Sequence, residues 1–373
     1  MGVRIQPGSA NARGAPPQFD AASDAELAAL QQQAENDPSW YAEDGKRYEA
    51  LYVTGEGVIY GRRGPAPEAP APNKENGDFA SEGFSKHTAK DQQGLPGGPG
   101  GWFANKDPGP VNVEIGTNSA NDQRARILST TLQSYPTRVV GAMSGNGSTA
   151  SGGCSGGKIA PRAVLTASHC VMGSTGAVSL NGFFNPGQTN TTTPNGSIGW
   201  NGVFLRDWRI DRKWDYAIIF LDDSAAMVGL GWMNAGWWTN AASYNGVQSS
   251  NIGFPCGPNG PGSCGTVGVQ TCADSPRTDK RCDGWMYGSG AVMDSASFMS
   301  GDLLKVYNDV SKGHSGSPLW TNLSGGPTIL AVATHTNGIG TDVMGPRFRQ
   351  VMWDDVCSWI GQKPSSFGTH PCQ

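Results

Sequence analysis

The sequence predicts an all-β protein made of antiparallel sheets that close on themselves or stack. Two observations carry this expectation. From position 111 onward, short β-branched and aromatic runs follow one another, broken by glycine, asparagine and serine, with no amphipathic helices between them. Glycine supplies 54 of the 373 residues and charged residues only 16%, a balance that suits a loop-rich β protein better than a helical one.

The elements follow in chain order. The N-terminus, Met1-Gly2-Val3-Arg4-Ile5-Gln6-Pro7, has no apolar core of the kind that marks a signal peptide. Ser23-Asp24-Ala25-Glu26 reads as a capping box that opens a helix, which Asn36-Asp37-Pro38 stops. Residues 48–60 are expected to give one or two short strands around Gly55 and Gly57. Residues 64–110 are rich in proline and glycine and read as a linker that buries no core. Candidate strands then fall at 137–143, 163–167, 203–208, 216–221, 247–253, 303–307, 318–321 and 329–335. Residues 348–360 are expected to form a terminal helix.

The formal net charge is −4, and the acidic excess sits in the first 110 residues. With no basic field, nucleic acid is not an expected partner. No apolar run is long enough for a membrane-spanning helix. Asp222-Asp223 and Asp354-Asp355 are acidic pairs, expected on solvated faces. The twelve tryptophans, Trp237-Trp238 among them, are expected mainly in core packing.

The eight cysteines, at 154, 170, 256, 264, 272, 282, 357 and 372, all lie beyond the linker. None forms the tight C-x-x-C pairs of a metal site, so disulfides and an oxidising compartment are expected, with no metal and no cofactor. Export is therefore expected although no signal peptide is visible.

Three stretches carry chemistry. Gly313-His314-Ser315-Gly316-Ser317-Pro318 places a serine between glycines, where backbone turns tightly and a substrate can approach. Val164-Leu165-Thr166-Ala167-Ser168-His169-Cys170-Val171 is an apolar strand ending in a histidine. Trp214-Asp215-Tyr216-Ala217-Ile218-Ile219-Phe220-Leu221 sets an aspartate ahead of an apolar run. A serine hydroxyl needs a base to take its proton, an imidazole can serve near neutral pH, and a carboxylate can fix its tautomer.

In order and separation these stretches resemble the motifs of trypsin/chymotrypsin-fold serine endopeptidases, LTAAHC, D-[IY]-A-[LI] and GDSGGP. The resemblance covers about residues 111 to 360 and implies two six-stranded antiparallel β-barrels with a C-terminal helix. With the composition of the first 110 residues, it divides the chain into an irregular leader with one short helix (1–63, a pro-segment or equally a solubilising spacer), the linker (64–110) and a protease domain (111–373), with barrel 1 at about 130–230 and barrel 2 at about 240–360. It implies Ser315 as nucleophile, His169 as base, Asp215 as orienting carboxylate, and the N–H groups of Gly313 and Ser315 as oxyanion hole. It also implies a Cys154–Cys170 disulfide. Cys256–Cys264, Cys272–Cys282 and Cys357–Cys372 are simply nearest neighbours.

His314 departs from the trypsin pattern, where aspartate pairs with a new N-terminus. The chain is more similar to the V8-type glutamyl endopeptidases, through the residues from Ile115-Gly116 to Ile127, Tyr135-Pro136-Thr137-Arg138-Val139-Val140-Gly141 and Cys154-Ser155-Gly156-Gly157-Lys158-Ile159. Cleavage before Val139 would remove the first strand, so maturation is expected between about Pro108 and Asn118. Thr334-His335-Thr336-Asn337-Gly338 resembles the segment lining the primary pocket of that branch, which makes His335 and Thr336 candidate receivers of a substrate carboxylate. His335 read alone is equally compatible with an ordinary strand histidine. Val310 stands where the branch usually has a hydroxyl, and Lys312 near the pocket mouth is a candidate substitute. The resemblance implies a secreted, monomeric endopeptidase acting on proteins or peptides, with Glu then Asp preferred at P1. A protease of other specificity, or a trypsin-fold binding or adhesion module that has lost catalysis, are the alternatives.

Overall fold

In the computed structural model the described residues are 3–5, 24–69, 74–75, 79–82, 125–127, 132–144, 152–180, 182–189, 192–222, 229–254, 285–293, 299–300, 302–308, 310, 313–323, 326–335 and 343–362. The N-terminal part supplies β1 (Val3–Ile5), helix α1 (Asp24–Glu35), β2 (Ala50–Thr54), β3 (Ile59–Arg62), β4 (Lys74–Glu75) and β5 (Phe79–Glu82). The expected helix and the strands around Gly55 and Gly57 are thus present, so this part is less irregular than its composition implied. Asp37 ends the helical run by capping the next turn, where its Oδ1 accepts from the Ser39 N–H at 3.1 Å.

Strands β6 (Ala125–Arg126), β7 (Val140–Ser144), β8 (Gly152–Ala160), β9 (Ala163–Thr166), β10 (Phe183–Pro186), β11 (Ile198–Leu205) and β12 (Ala217–Leu221) follow. Six of them, in the order β11-β10-β7-β8-β9-β12 with β12 returning to β11, close an antiparallel barrel. The closure has a plain cause: β9 and β12 are buried at every position, so their backbone N–H and C=O groups need strand partners on both edges. Sequence 137–143 begins as a single helical turn, Thr137–Val139, before β7 starts. The glycine-rich β8 was missed in the sequence because Gly-Gly-Cys-Ser-Gly-Gly lacks the branched residues by which strands are recognised.

The second half contributes β13 (Asn234–Trp238), β14 (Gln248–Gly253), β15 (Tyr287–Val292), β16 (Met299–Ser300), β17 (Leu303–Val306), β18 (Pro318–Leu323), β19 (Gly326–Val332), β20 (Val343–Pro346) and helix α2 (Gln350–Gly361). A second closed six-stranded barrel was expected. Among the described residues there is instead an eight-stranded sheet, β4-β5-β13-β19-β18-β14-β15-β6, that does not close, and a separate three-stranded sheet, β16-β17-β20. Its edges are occupied otherwise: β5 lies along β13 and β6 along β15. The β13–β19 pair is parallel, so the sheet is not purely antiparallel.

Helix α2 falls where the terminal helix was expected. It buries Met352, Trp353, Val356, Trp359 and Ile360 in a core continuous with the first barrel. Asp355 is on the same helix and fully buried, not on a solvated face. Its carboxylate takes the Arg206 guanidinium, at 2.5 Å from Nε and 3.1 Å from Nη2, and the Tyr216 hydroxyl. A buried carboxylate is tolerated only with such partners. Trp237 and Trp238 are buried, as core packing requires.

Candidate active site

Strand β9 delivers the chain into a short helical turn, Ser168–Cys170, and the turn sets the histidine. The turn is fastened twice. The Ser168 hydroxyl donates to the Arg206 carbonyl at 2.7 Å. Cys170 is disulfide-bonded to Cys154 on β8. With the two cysteines 16 positions apart in sequence, the loop closure is worth about 3 kcal/mol. A Cys154→Ala/Cys170→Ala variant is therefore expected to lose stability of that order in urea titration, with activity falling further than folding because the histidine turn loosens.

The aspartate comes from the other side of the barrel. After β11 the chain forms a turn, Arg212–Trp214, capped by Asp211, whose Oδ1 accepts from Lys213 N at 3.0 Å. Asp215 closes that turn and β12 begins two residues later. Its carboxylate is 1% exposed. Oδ1 accepts from the His169 backbone N–H at 2.9 Å, and Oδ2 lies 2.7 Å from His169 Nδ1. Burial pushes the carboxyl's pKa up, but the His169 ring and its hydrogen bonds, with a smaller contribution from His335, outweigh it and hold the pKa below the ordinary 3.8. The carboxylate is thus ionised at neutral pH and can only accept, so Nδ1 of His169 donates to it. Trp208 meets the imidazole edge-on at 6.2 Å between ring centres and is itself fixed by Nε1 donating to the Met172 carbonyl.

Ser315 lies in a loop folded onto β8. Ser155 is the hub of this contact, a role its place in a glycine-rich stretch does not announce. Its N–H donates to the Ser315 carbonyl at 2.7 Å, and its hydroxyl donates to the Gly313 carbonyl at 2.8 Å and accepts from Phe254 N at 2.9 Å. The Thr166 hydroxyl donates to the Ser155 carbonyl at 2.8 Å. Both loop carbonyls are thereby tied to the barrel. The N–H groups of Gly313 and Ser315 donate to no protein acceptor among the described residues. Gly316 has φ +83°, and a Cβ there would stand 2.2 Å from the Ser155 carbonyl oxygen and Thr166 Oγ1, so only glycine fits. Asn251 steadies the far side, donating to Ser317 Oγ at 2.7 Å and the Pro318 carbonyl at 3.1 Å.

The loop carrying Ser315 also abuts the histidine turn, with its carbonyl oxygen 3.6 Å from Cys170 Sγ. Ser315 keeps part of its surface open, whereas His169, Asp215 and His314 are buried. The three residues singled out in the sequence thus come from β9, the β11–β12 connection and the β18 entrance to one neighbourhood.

The pocket residues divide. His335 lies three residues beyond β19 and is bridged to Met344 by paired backbone hydrogen bonds of 2.9 Å. Burial of its ring is the largest cause lowering its pKa to about 3. The Asp215 charge works against that, while Arg212 and His169 add to it. The ring is therefore neutral at neutral pH and lies near enough to the His169–Asp215 pair to feel it. Its Nδ1 makes a short hydrogen bond with Thr334 Oγ1. Val310 is 3% exposed and packs with Leu319, Ala333 and Val343 in a second apolar cluster. Lys312 and Thr336 lie outside the described residues, as do Cys256, Cys264, Cys272, Cys282 and Cys372. Cys357 is disulfide-bonded, and no described cysteine is free.

No family model matches the chain. It is 28% identical over 266 residues to the glutamyl endopeptidase of Bacillus licheniformis, covering 68% of this chain and 72% of that protein. Over that length the chain is similar to a glutamyl endopeptidase. It is also 28% identical, over 249 residues, to an extracellular metalloprotease of Bacillus subtilis, covering 65% of this chain and 69% of that one. A solved structure of a Glu endopeptidase in complex with MPD overlays 65% of the chain and 97% of its own, with TM-score 0.49 and 19% identity. A protease of Arthrobacter nicotinovorans overlays 59% and 94%, with TM-score 0.44 and 16% identity.

The metalloprotease name directs attention to possible ligands. Cys154, His169 and Cys170 bring ligand atoms within 4.8 Å of one another. Two of the three are the sulfurs of one disulfide, so neither is available as a thiolate. Nδ1 of the remaining residue, His169, is engaged by Asp215 at 2.7 Å.

Proposed function

We propose that the protease hydrolyses peptide bonds through Ser315, His169 and Asp215, with acidic residues preferred on the acyl side of the cut. The observation that carries this reading is the buried His169–Asp215 pair, 2.7 Å from Nδ1 to Oδ2, beside a partly open serine on a loop locked to the same barrel. Nε2 of His169 takes the Ser315 hydroxyl proton as Oγ attacks the scissile carbonyl carbon. The N–H groups of Gly313 and Ser315 receive the developing oxyanion, each such donor being worth roughly 3 kcal/mol in the transition state. The imidazolium returns its proton to the leaving amine, and the ester left on Ser315 is hydrolysed by water activated in the same way.

His335 is the group proposed to read the acidic side chain. The Met344 carbonyl accepts from the N–H groups of Thr334 and His335, at 3.0 and 2.9 Å, and from the Thr334 hydroxyl at 3.1 Å. The tautomer proposed for recognition is the one in which the Thr334 hydroxyl donates instead to His335 Nδ1, with which it already shares a short hydrogen bond. The ring's own proton then sits on Nε2, a donor suited to a carboxylate without any charging of the imidazole. The glutamyl endopeptidase relative fits this in its name. Val310, turned into the apolar cluster, leaves the role of a second donor to Thr336 or Lys312.

The chain is proposed to act outside the cell, in keeping with its extracellular relative and its disulfides. It is proposed to be cut between about Pro108 and Asn118 to yield the protease domain of residues 111–373, working as a monomer on protein or peptide substrates. Cleavage-site profiling of a denatured protein mixture tests the preference. Cuts after glutamate, then aspartate, are expected to outnumber those after glutamine and asparagine by at least tenfold. Equal cutting after neutral and acidic residues would remove the assignment of His335.

A further inference from the structure

Residues 24–69 do more than precede the barrel. Strand β11 has β12 on one side along Trp200 to Leu205. On its other side β10 pairs only with Ile198 and Gly199. Strand β2 takes over from there, in the register Gly202↔Thr54, Val203↔Val53, Phe204↔Tyr52 and Leu205↔Leu51. Without β2 the outer backbone edge of residues 202–205 would have no strand beside it, which buried or half-buried backbone does not tolerate.

Side chains reinforce the pairing. Leu51, Val53, Tyr48 and Trp40 are buried in the barrel's own apolar core, and Tyr52 stacks on Phe204 with ring centres 4.2 Å apart. Three ion pairs reach groups that are themselves buried. Arg209, 1% exposed in its side chain, is held by Asp37 at 2.8 Å as well as by Asp207. Asp207, equally buried, takes Arg47 at 2.5 Å. Asp355, fully buried, takes Arg62 at 2.6 Å. The segment's last described residue is fastened to α2, with Ala69 N donating to Asp354 at 2.9 Å.

A leader that had to depart would leave behind a bare strand edge, an uncovered apolar face and buried charges short of partners. A buried charge that loses a partner is left with less compensation for its desolvation. We propose that residues 24–69 remain docked on the first barrel after the chain is cut in the stretch beyond them. The working protease is then a two-piece assembly whose N-terminal piece supplies a structural strand. This holds whether or not the catalytic reading is correct, because it rests on the barrel's outer face alone.

The test uses the full chain with Ser315→Ala, to prevent self-cutting, and a site for an unrelated specific protease inserted between Gly97 and Gly98. After complete cutting, size-exclusion chromatography under native conditions should show both fragments in one peak at equal stoichiometry. Amide exchange at residues 202–205 should be as slow as in the uncut chain. Separate elution of the N-terminal fragment, with the larger piece still folded and its melting temperature unchanged, would overturn the proposal, as would rapid exchange at 202–205. Adding Val53→Asp to the cut chain should release the small fragment. Retention unchanged in that variant would show that β2 is not what holds it.

Discussion

Replacing Ser315 with alanine is expected to reduce kcat/KM on a peptide substrate by about 10⁶-fold, with little change in the melting temperature. The serine is partly open and its side chain carries no packing role, while its backbone contacts to Ser155 persist in alanine. His169→Ala should cost a comparable factor, and the double variant little more, because a nucleophile without its base and a base without its nucleophile are equally idle. Asp215→Asn should lose roughly 10⁴-fold. An amide at that position can donate to Nδ1, which turns the imidazole to the tautomer whose Nε2 bears a proton and cannot act as a base. Independent, additive losses from Ser315→Ala and His169→Ala in steady-state assays would contradict a shared proton transfer.

The second large effect is expected at His335. His335→Leu should lower the ratio of kcat/KM for matched Glu and Gln substrates by about 10²-fold, since a site built to hydrogen-bond a substrate group discriminates mainly through that bond. Turnover of the Gln peptide should change far less. The pH dependence follows from the ring's burial. With its pKa lowered to about 3, the free ring is neutral from pH 5 to 8, and the Glu/Gln ratio should stay flat across that range. A ratio that falls tenfold per pH unit would mean that recognition requires the imidazolium instead. The same burial predicts a stability effect. Unfolding lets the ring protonate near its ordinary 6.5 while the folded ring resists until about 3. The unfolded state therefore binds the extra proton as pH falls through that interval, and stability is lost. His335→Leu should abolish this contribution and flatten the acid limb of stability against pH.

What the sequence revealed and what it concealed follow from the kind of signal each residue sends. His169 and Asp215 each sit beside an apolar run that becomes a fully buried strand, β9 and β12. A strand that must be buried on both faces is conspicuous, and so are the polar residues at its end. Ser155 is central to holding the Ser315 loop, yet it lies in a glycine-rich strand with no periodic pattern. Asp355 was read as one of a solvated pair, because a sequence shows a carboxylate but not the Arg206, Arg62 and Tyr216 that gather round it from 149, 293 and 139 positions away. The docking of residues 24–69 was hidden for a similar reason. Strands β2 and β3 were legible as short strands, but the edge of β11 that receives them exists only once β10 has stopped short. Among the described residues of the second half the large sheet is open, and β5, from a stretch read as linker, lies along β13.

The central claim is a serine made nucleophilic by the His169–Asp215 pair. Its most direct test is reaction of the native chain with a serine-directed organofluorophosphate, followed by peptide mapping. One phosphoryl group per chain on Ser315, absent in His169→Ala although that variant remains folded, is the predicted result. A folded chain that takes no label, or labels a different serine at full stoichiometry, would contradict it.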